Sequence, residues 1–188
     1  MVDVIVFHHA LGVTAGVRAF ADRLMAAGHR VMVPDLYDGE TLDTIEAGVG
    51  HAEAIGFDTI IDRGVAVVTA TDEPFVTIGF SLGVLPAQSL AQTHRRAVGA
   101  VLCHAAIPLG TFADDWPEGV ALQLHNAPDD SWGDLDEAQA LAAAVPGAEL
   151  FRYDTARHLV ADSSVDDYDA DIAEQIIDRT LMLLATVS

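Results

Sequence analysis

Residues 79–83 read Gly-Phe-Ser-Leu-Gly. They stand between a β-branched run, Phe75 to Phe80, and a helical stretch, Leu82 to Gln92. A serine with glycine two positions before and two after fits a sharp strand-to-helix turn, where strand and helix pack too closely for larger residues. The hydroxyl of Ser81 then projects at a helix N-terminus, and backbone N–H groups there can stabilise a developing oxyanion. The same five residues would also suit a plain serine N-cap with glycines for packing. The strand–turn–helix context favours a nucleophile.

A nucleophilic serine needs a base, and the base needs an orienting acid. Both follow at strand ends. The run Val120 to His125 leads into Ala-Pro-Asp-Asp, so Asp129 and Asp130 are adjacent candidates for the acid. The run Glu149 to Tyr153 leads into Asp-Thr-Ala-Arg-His-Leu, and His158 is the only histidine after His125. An acidic turn or a loop histidine is commonplace alone. The ordered set Ser81, Asp130, His158 is what acyl-transfer chemistry requires.

The other histidines carry less. His8 and His9 close the first strand, and one of them can line a pocket. His104 ends the fourth strand and reads as a hydrogen-bonded strand-end residue. A metal site would need three converging ligands, and the motif around Ser81 argues against drawing them from His8, His9, His104 and His158. Cys103 sits on an apolar strand as a small core residue. His29, His51 and His94 read as helix-end or surface residues.

The elements that must position these groups alternate between short β-branched runs and longer helical stretches. Strands are expected at Val2 to His8, Arg30 to Val33, Phe75 to Phe80, Val98 to Cys103, Val120 to His125 and Glu149 to Tyr153. Helices are expected at Thr14 to Ala27, Leu82 to Gln92, Leu135 to Val145 and Tyr168 to Ala185. Two more lie within Asp38 to Ala70, broken near Gly56. Six strands with intervening helices and few hairpin signals imply a mostly parallel sheet covered on both faces. The Pro- and Gly-rich loop from Ala105 to Gly119 follows a strand's C-terminal end, where α/β proteins keep their sites.

Composition narrows the partners. The chain has 188 residues, of which 51% are apolar and 20% charged, a globular balance sized for one domain over residues 1–188. Nine arginines, no lysine and 29 acidic residues leave a net charge of −20. Such a field repels nucleic acid and anionic lipid, and it suits a salty or crowded cytoplasm. The single cysteine excludes a disulfide framework. With no signal-like or membrane-spanning run, a cytoplasmic, soluble protein is expected. The first strand leads into His-His-Ala-Leu-Gly-Val-Thr-Ala-Gly, which lacks the G-x-G-x-x-G spacing of a dinucleotide site, and there is no phosphate-binding loop. No cofactor is expected.

On these residues the chain resembles the dienelactone hydrolase family of α/β-hydrolases in its short form, over nearly its whole length. The resemblance lies in the block VIVFHHALGVTAGVRAFADRLMAAGHRVMVPDLYDG, in GFSLG, and in the ending YDTARHLVADSSVDDYDADIAEQ. It implies a six-stranded, mostly parallel sheet in the order 2-1-3-4-5-6, with helices on both faces and no lid domain. It implies Ser81 as nucleophile, Asp130 as acid and His158 as base, with oxyanion-hole amides from Leu82 and Ala10. Departures bear on the substrate. The dienelactone hydrolases proper have a cysteine nucleophile, a first-loop Glu where His9 stands, and a substrate-holding Arg where Asp162 stands. With the charge of −20, this makes a small neutral ester, lactone or thioester the expected substrate. Acyl transfer to another nucleophile, and a non-catalytic binding protein on a hydrolase fold, are the alternatives. A homodimer is as open as a monomer. Pocket walls are expected from Leu11, Tyr37, Phe80, Ile107, Trp116, Trp132 and Leu159, with the two Trp either shaping an acyl pocket or capping the core.

Overall fold

Alternation along the central strands determines the layering. In a strand, successive side chains point to opposite faces. Ile5 and Phe7 therefore enter one apolar cluster, with Leu102 and Leu124, while Val4 and Val6 enter the other, with Ile78, Phe80 and Val101. Strands that are apolar on both faces need cover on both, and a parallel sheet with crossover helices provides it.

The computed structural model describes residues 2–70 and 73–187. Its strands are β1 (Asp3–Phe7), β2 (Arg30–Met32), β3 (Phe75–Phe80), β4 (Ala97–Cys103), β5 (Ala121–Asn126) and β6 (Glu149–Arg152). They form one six-stranded sheet in the order β2-β1-β3-β4-β5-β6, and every neighbouring pair is parallel. The helices are α1 (Ala15–Ala26), α2 (Ile45–Ile55), α3 (Phe57–Ala66), α4 (Val84–Thr93), α5 (Leu135–Ala144) and α6 (Ala170–Val187). Val17, Phe20 and Leu24 of α1 join Ile176, Ile177 and Leu184 of α6 on one face. Ile60 of α3, Leu90 of α4 and Leu141 of α5 lie on the other. The expected sheet order and two-faced cover are both observed.

Local chemistry starts and stops the helices. Thr14 caps α1 by accepting from the Val17 N–H, Thr44 caps α2 likewise, and Asp134 caps α5. Gly56, at φ +92°, separates α2 from α3 at the break expected there. The edge strands β2 and β6 are short and carry Arg30, Glu149 and Arg152, which blunts them against pairing with another chain. Among the described residues no helix is long and apolar enough to cross a membrane.

The start of the helix after β3 differs from expectation. Ser81–Gly83 form a 3₁₀ turn, and α4 begins only at Val84. The chain must reverse from a buried strand into a buried helix within three residues, and the tighter turn does this. Ser81 holds φ +49°, a left-handed conformation that non-glycine residues rarely adopt. A Cβ on Gly79 would stand 2.6 Å from the Gly83 carbonyl oxygen, and one on Gly83 would meet the Phe7 carbonyl and lie 2.7 Å from that of His8. Both glycines are thus demanded by space. Gly83→Ala forces β1 and the turn apart. It should lower stability by about 2 kcal/mol or more, seen as a lower urea midpoint with an unchanged slope, and should reduce esterase turnover in the protein that remains folded.

Candidate active site

Five loops converge at the C-terminal edge of the sheet. Ser81 occupies the turn after β3. It lies at the start of a helical run, where N–H groups have no carbonyl behind them. The following helix, α4, is buried along most of its length, polar residues included. Its Gln88 is satisfied by both backbone groups of Ile107, donating to the carbonyl at 2.6 Å and accepting from the N–H at 2.9 Å. The Pro- and Gly-rich loop after β4 is thereby tied to the helix that carries the serine.

His158 and Asp130 reach Ser81 from the loops after β6 and β5. His158 Nε2 lies 2.8 Å from Ser81 Oγ, and Nδ1 lies 2.6 Å from Asp130 Oδ2. A carboxylate only accepts, so the proton sits on Nδ1 and Nε2 accepts from the hydroxyl. This is the tautomer a general base needs. The other Asp130 oxygen accepts from the Trp132 N–H at 2.9 Å. A Cβ on Gly133 would come within 2.8 Å of Asp130 Oδ2, so glycine there leaves the carboxylate room. Asp129 is exposed, whereas Asp130 is buried against the imidazole. That decides between the two adjacent candidates. The loop bearing His158 is held by Asp167, whose carboxylate accepts from the His158 N–H at 3.0 Å.

The loop after β1 carries Ala10, buried at 3% exposure. It is gripped on several sides. A Cβ on Gly48 of α2 would strike the Ala10 carbonyl. The Leu11 carbonyl accepts from the Leu42 N–H at 3.0 Å. His8 donates from Nδ1 to the His9 carbonyl at 2.7 Å and accepts on Nε2 from the Leu36 N–H at 3.0 Å. His9 lies 2.6 Å from the Asp162 carboxylate through Nε2, and its Nδ1 accepts from the Leu11 N–H at 3.2 Å. His9 and Asp162, two of the three positions at which the resemblance to the dienelactone hydrolases proper breaks, therefore meet each other. Both departures are visible in the sequence but their pairing is not, because they lie 153 positions apart.

Asp162 also accepts from the hydroxyls of Thr14 and Ser164 and from the Ser164 N–H. Burial alone would push its carboxyl up, but these hydrogen bonds, that from His9 foremost, outweigh it and hold the pKa down at about 2. His104 does not match its expectation as a hydrogen-bonded residue. It holds φ +71°, is buried beside His158 at 5.5 Å between ring centroids, and its Nε2 has no hydrogen-bond partner among the described residues. Among those residues no group of three His, Cys, Asp or Glu is placed to hold a metal ion.

The expected pocket walls divide. Phe80 and Leu159 line a small cavity of about 10 Å³ with His9, His104 and Asp162. Leu11 and Leu159 line an open groove of about 310 Å³ whose walls carry Asp43, Asp166 and Asp167. Tyr37 is instead a core residue, its hydroxyl donating to the Gly48 carbonyl. Trp116 packs against the core and donates to the Val120 carbonyl at 2.8 Å, which is the capping role. Trp132 is 44% exposed on the Asp130 loop. Cys103 is wholly buried, and burial pushes its thiol up, out of nucleophilic range.

Three buried histidines stay neutral in the folded protein. Burial drives His8 down to about 4 and His125 to about 3, and it drives His104 well below the usual 6.5. Unfolded, each takes up a proton near pH 6.5. Below that pH the unfolded chain binds more protons than the folded one, so stability falls as pH falls. Urea unfolding between pH 7 and pH 5 should show this fall, and His125→Gln should make it less steep. A flat profile would contradict it.

The sequence model of the Dienelactone hydrolase family matches residues 2–188. Among solved structures, the chain is similar to a dienelactone hydrolase-like promiscuous phosphotriesterase from metagenomic libraries, at 16% identity and a TM-score of 0.80, over 100% of this chain and 87% of that one. It is similar to an esterase from Exiguobacterium antarcticum at 12% identity and a TM-score of 0.71, over 98% and 92% of the two chains. It is also similar to mouse alpha/beta hydrolase domain-containing protein 10, at 11% identity and a TM-score of 0.73, over 99% and 90%. At these identities the structural likeness speaks to the fold, and the family match carries the assignment. This chain therefore belongs to the dienelactone hydrolase family of α/β-hydrolases, and it is a serine esterase of that kind.

Proposed function

We propose that the protein hydrolyses small uncharged carboxylic esters, lactones or thioesters through an acyl-enzyme on Ser81. The observation that carries this reading is the unbroken relay from Ser81 Oγ through His158 to Asp130, with steps of 2.8 and 2.6 Å. His158 Nε2 takes the hydroxyl proton as Ser81 Oγ bonds to the acyl carbon. The amides of Leu82 and Ala10 hold the resulting oxyanion. Asp130 stabilises the imidazolium. The tetrahedral centre collapses, the bond to the leaving group breaks, and His158 delivers its proton there. Water then attacks the acyl-enzyme, giving its proton to His158, and Ser81 leaves as the hydroxyl once that proton returns to it.

Charge supports the neutral substrate. A groove walled by Asp43, Asp166 and Asp167 adjoins the His158 loop at Leu159, and with a net charge of −20 its field disfavours the approach of an anionic acyl group. The same reading takes residues 1–188 as one catalytic unit in the cytoplasm, working as a monomer or a homodimer.

The test is hydrolysis of p-nitrophenyl acetate beside an ester of similar size bearing a carboxylate. Ser81→Ala should abolish turnover of both. Asp130→Asn should cut kcat by about 10⁴, and Asp129→Asn should leave it within about twofold. The anionic ester should react at least tenfold less efficiently, with the gap narrowing in high salt as the field is screened. Equal turnover by Ser81→Ala would overturn the nucleophile assignment, and preference for the anionic ester would overturn the substrate class.

A further inference from the structure

The site holds two buried histidine–carboxylate pairs, and acyl chemistry uses only one of them. The second is His9 with Asp162, at 2.6 Å and with side chains 1% and 3% exposed. It is not a second reaction centre. The cavity that touches it measures about 10 Å³, too small for more than a single water. Thr14, which bonds the same carboxylate, has its hydroxyl engaged as the cap of α1.

Its connections say what it does. His9 directly precedes Ala10. Its ring accepts from the Leu11 N–H through Nδ1, so the imidazole bridges over Ala10 from one flanking residue to the other. The His9 carbonyl accepts from the Gly12 N–H at 3.1 Å, closing the turn on the far side. Asp162 lies four residues after His158, and its N–H donates to the Leu159 carbonyl at 3.0 Å. Its carboxylate reaches Thr14 at the start of α1, and a Cβ on Gly16 would collide with it, so the carboxylate is seated tightly under that helix. Hydrogen bonds from His9 and Thr14 to Asp162 thus join the loop expected to supply an oxyanion amide to the loop that supplies the base.

We propose that His9 and Asp162 are positioning residues that aim the Ala10 amide at the oxyanion and hold it in register with His158. The inference rests on the reading of the site given above. Neither side chain touches the reacting atoms. Losing the pair frees the Ala10 peptide to turn, which removes a donor used in the transition state and leaves ground-state binding intact.

The test compares His9→Leu with His9→Gln, whose side-chain amide N can still donate to Asp162 from near the Nε2 position. For p-nitrophenyl acetate, His9→Leu should lower kcat about 100-fold, the scale of losing one oxyanion donor, with KM changed less than about threefold. Affinity for a small alkylboronic acid, which forms a tetrahedral adduct on the serine, should fall by a similar factor. His9→Gln should recover kcat to within about tenfold of the parent. A protein that merely loosens would show a lower unfolding temperature without the matched loss of kcat and boronate affinity. Unchanged kcat in folded His9→Leu would overturn the proposal, as would lost kcat with undiminished boronate affinity. If His9→Leu does not fold, Asp162→Asn decides on the same two readouts, since it removes the charge while keeping the shape. Turnover surviving in Ser81→Ala would indict the reading of the site itself. A dead Ser81→Ala beside a fully active His9→Leu would indict only the brace.

Discussion

The backbone turn at Ser81 is the constraint on which the rest of the molecule depends. A serine at φ +49° is strained, and surrounding structure must hold it there. β3 below it is buried on both faces, and α4 beyond it is buried almost throughout. Gly79 and Gly83 let these two elements and β1 approach one another more closely than any side chain would permit. The packing that makes the core therefore also aims the hydroxyl. Phe80, one residue before the nucleophile, packs edge-to-face on Phe20 of α1 at 4.9 Å, so the turn is anchored to the helical layer as well as to the sheet.

Around that fixed point the site is assembled from loops whose polar groups are satisfied by one another. Asp167 holds the backbone of His158, the Trp132 N–H holds Asp130, Gln88 holds the loop after β4, and His8 holds the start of the loop after β1. Buried polar groups left unpaired are costly, so each of these bonds also restricts where its loop can go. The charge of the whole molecule works at longer range. At net −20 the protein repels anions, and the acidic walls of the groove beside Leu159 act in the same direction. Asp162 itself is taken up by hydrogen bonds to His9, Thr14 and Ser164.

Much of this was legible in the sequence because the signals are local. The run FVTIGF followed by Ser-Leu-Gly marks strand, turn and nucleophile within nine residues, and β3 spans Phe75–Phe80 as read. Gly56 marks the break between α2 and α3. The order of acid and base along the chain follows from which strand ends lead into Asp130 and His158. What could not be read depends on contacts between distant segments. Asp129 and Asp130 are chemically identical neighbours, and only the fold shows which one faces the imidazole. His9 and Asp162 pair across 153 residues. Tyr37 and Trp116 looked like pocket residues by their place in loops, but the loops fold back onto the core and bury them or pack them there. Leu82 and Gly83 belong to the 3₁₀ turn although the helical pattern takes them in, because the same small apolar residues serve both.

The central claim is that Ser81 becomes covalently acylated. Rapid mixing of the protein with p-nitrophenyl acetate, acid quenching within the first turnover and intact-mass measurement tests it directly. A mass increase of one acetyl group, located by peptide mapping to the segment containing Ser81 and absent from Ser81→Ala, is the predicted result. Turnover without any adduct, or an adduct on Cys103 or another residue, would contradict it.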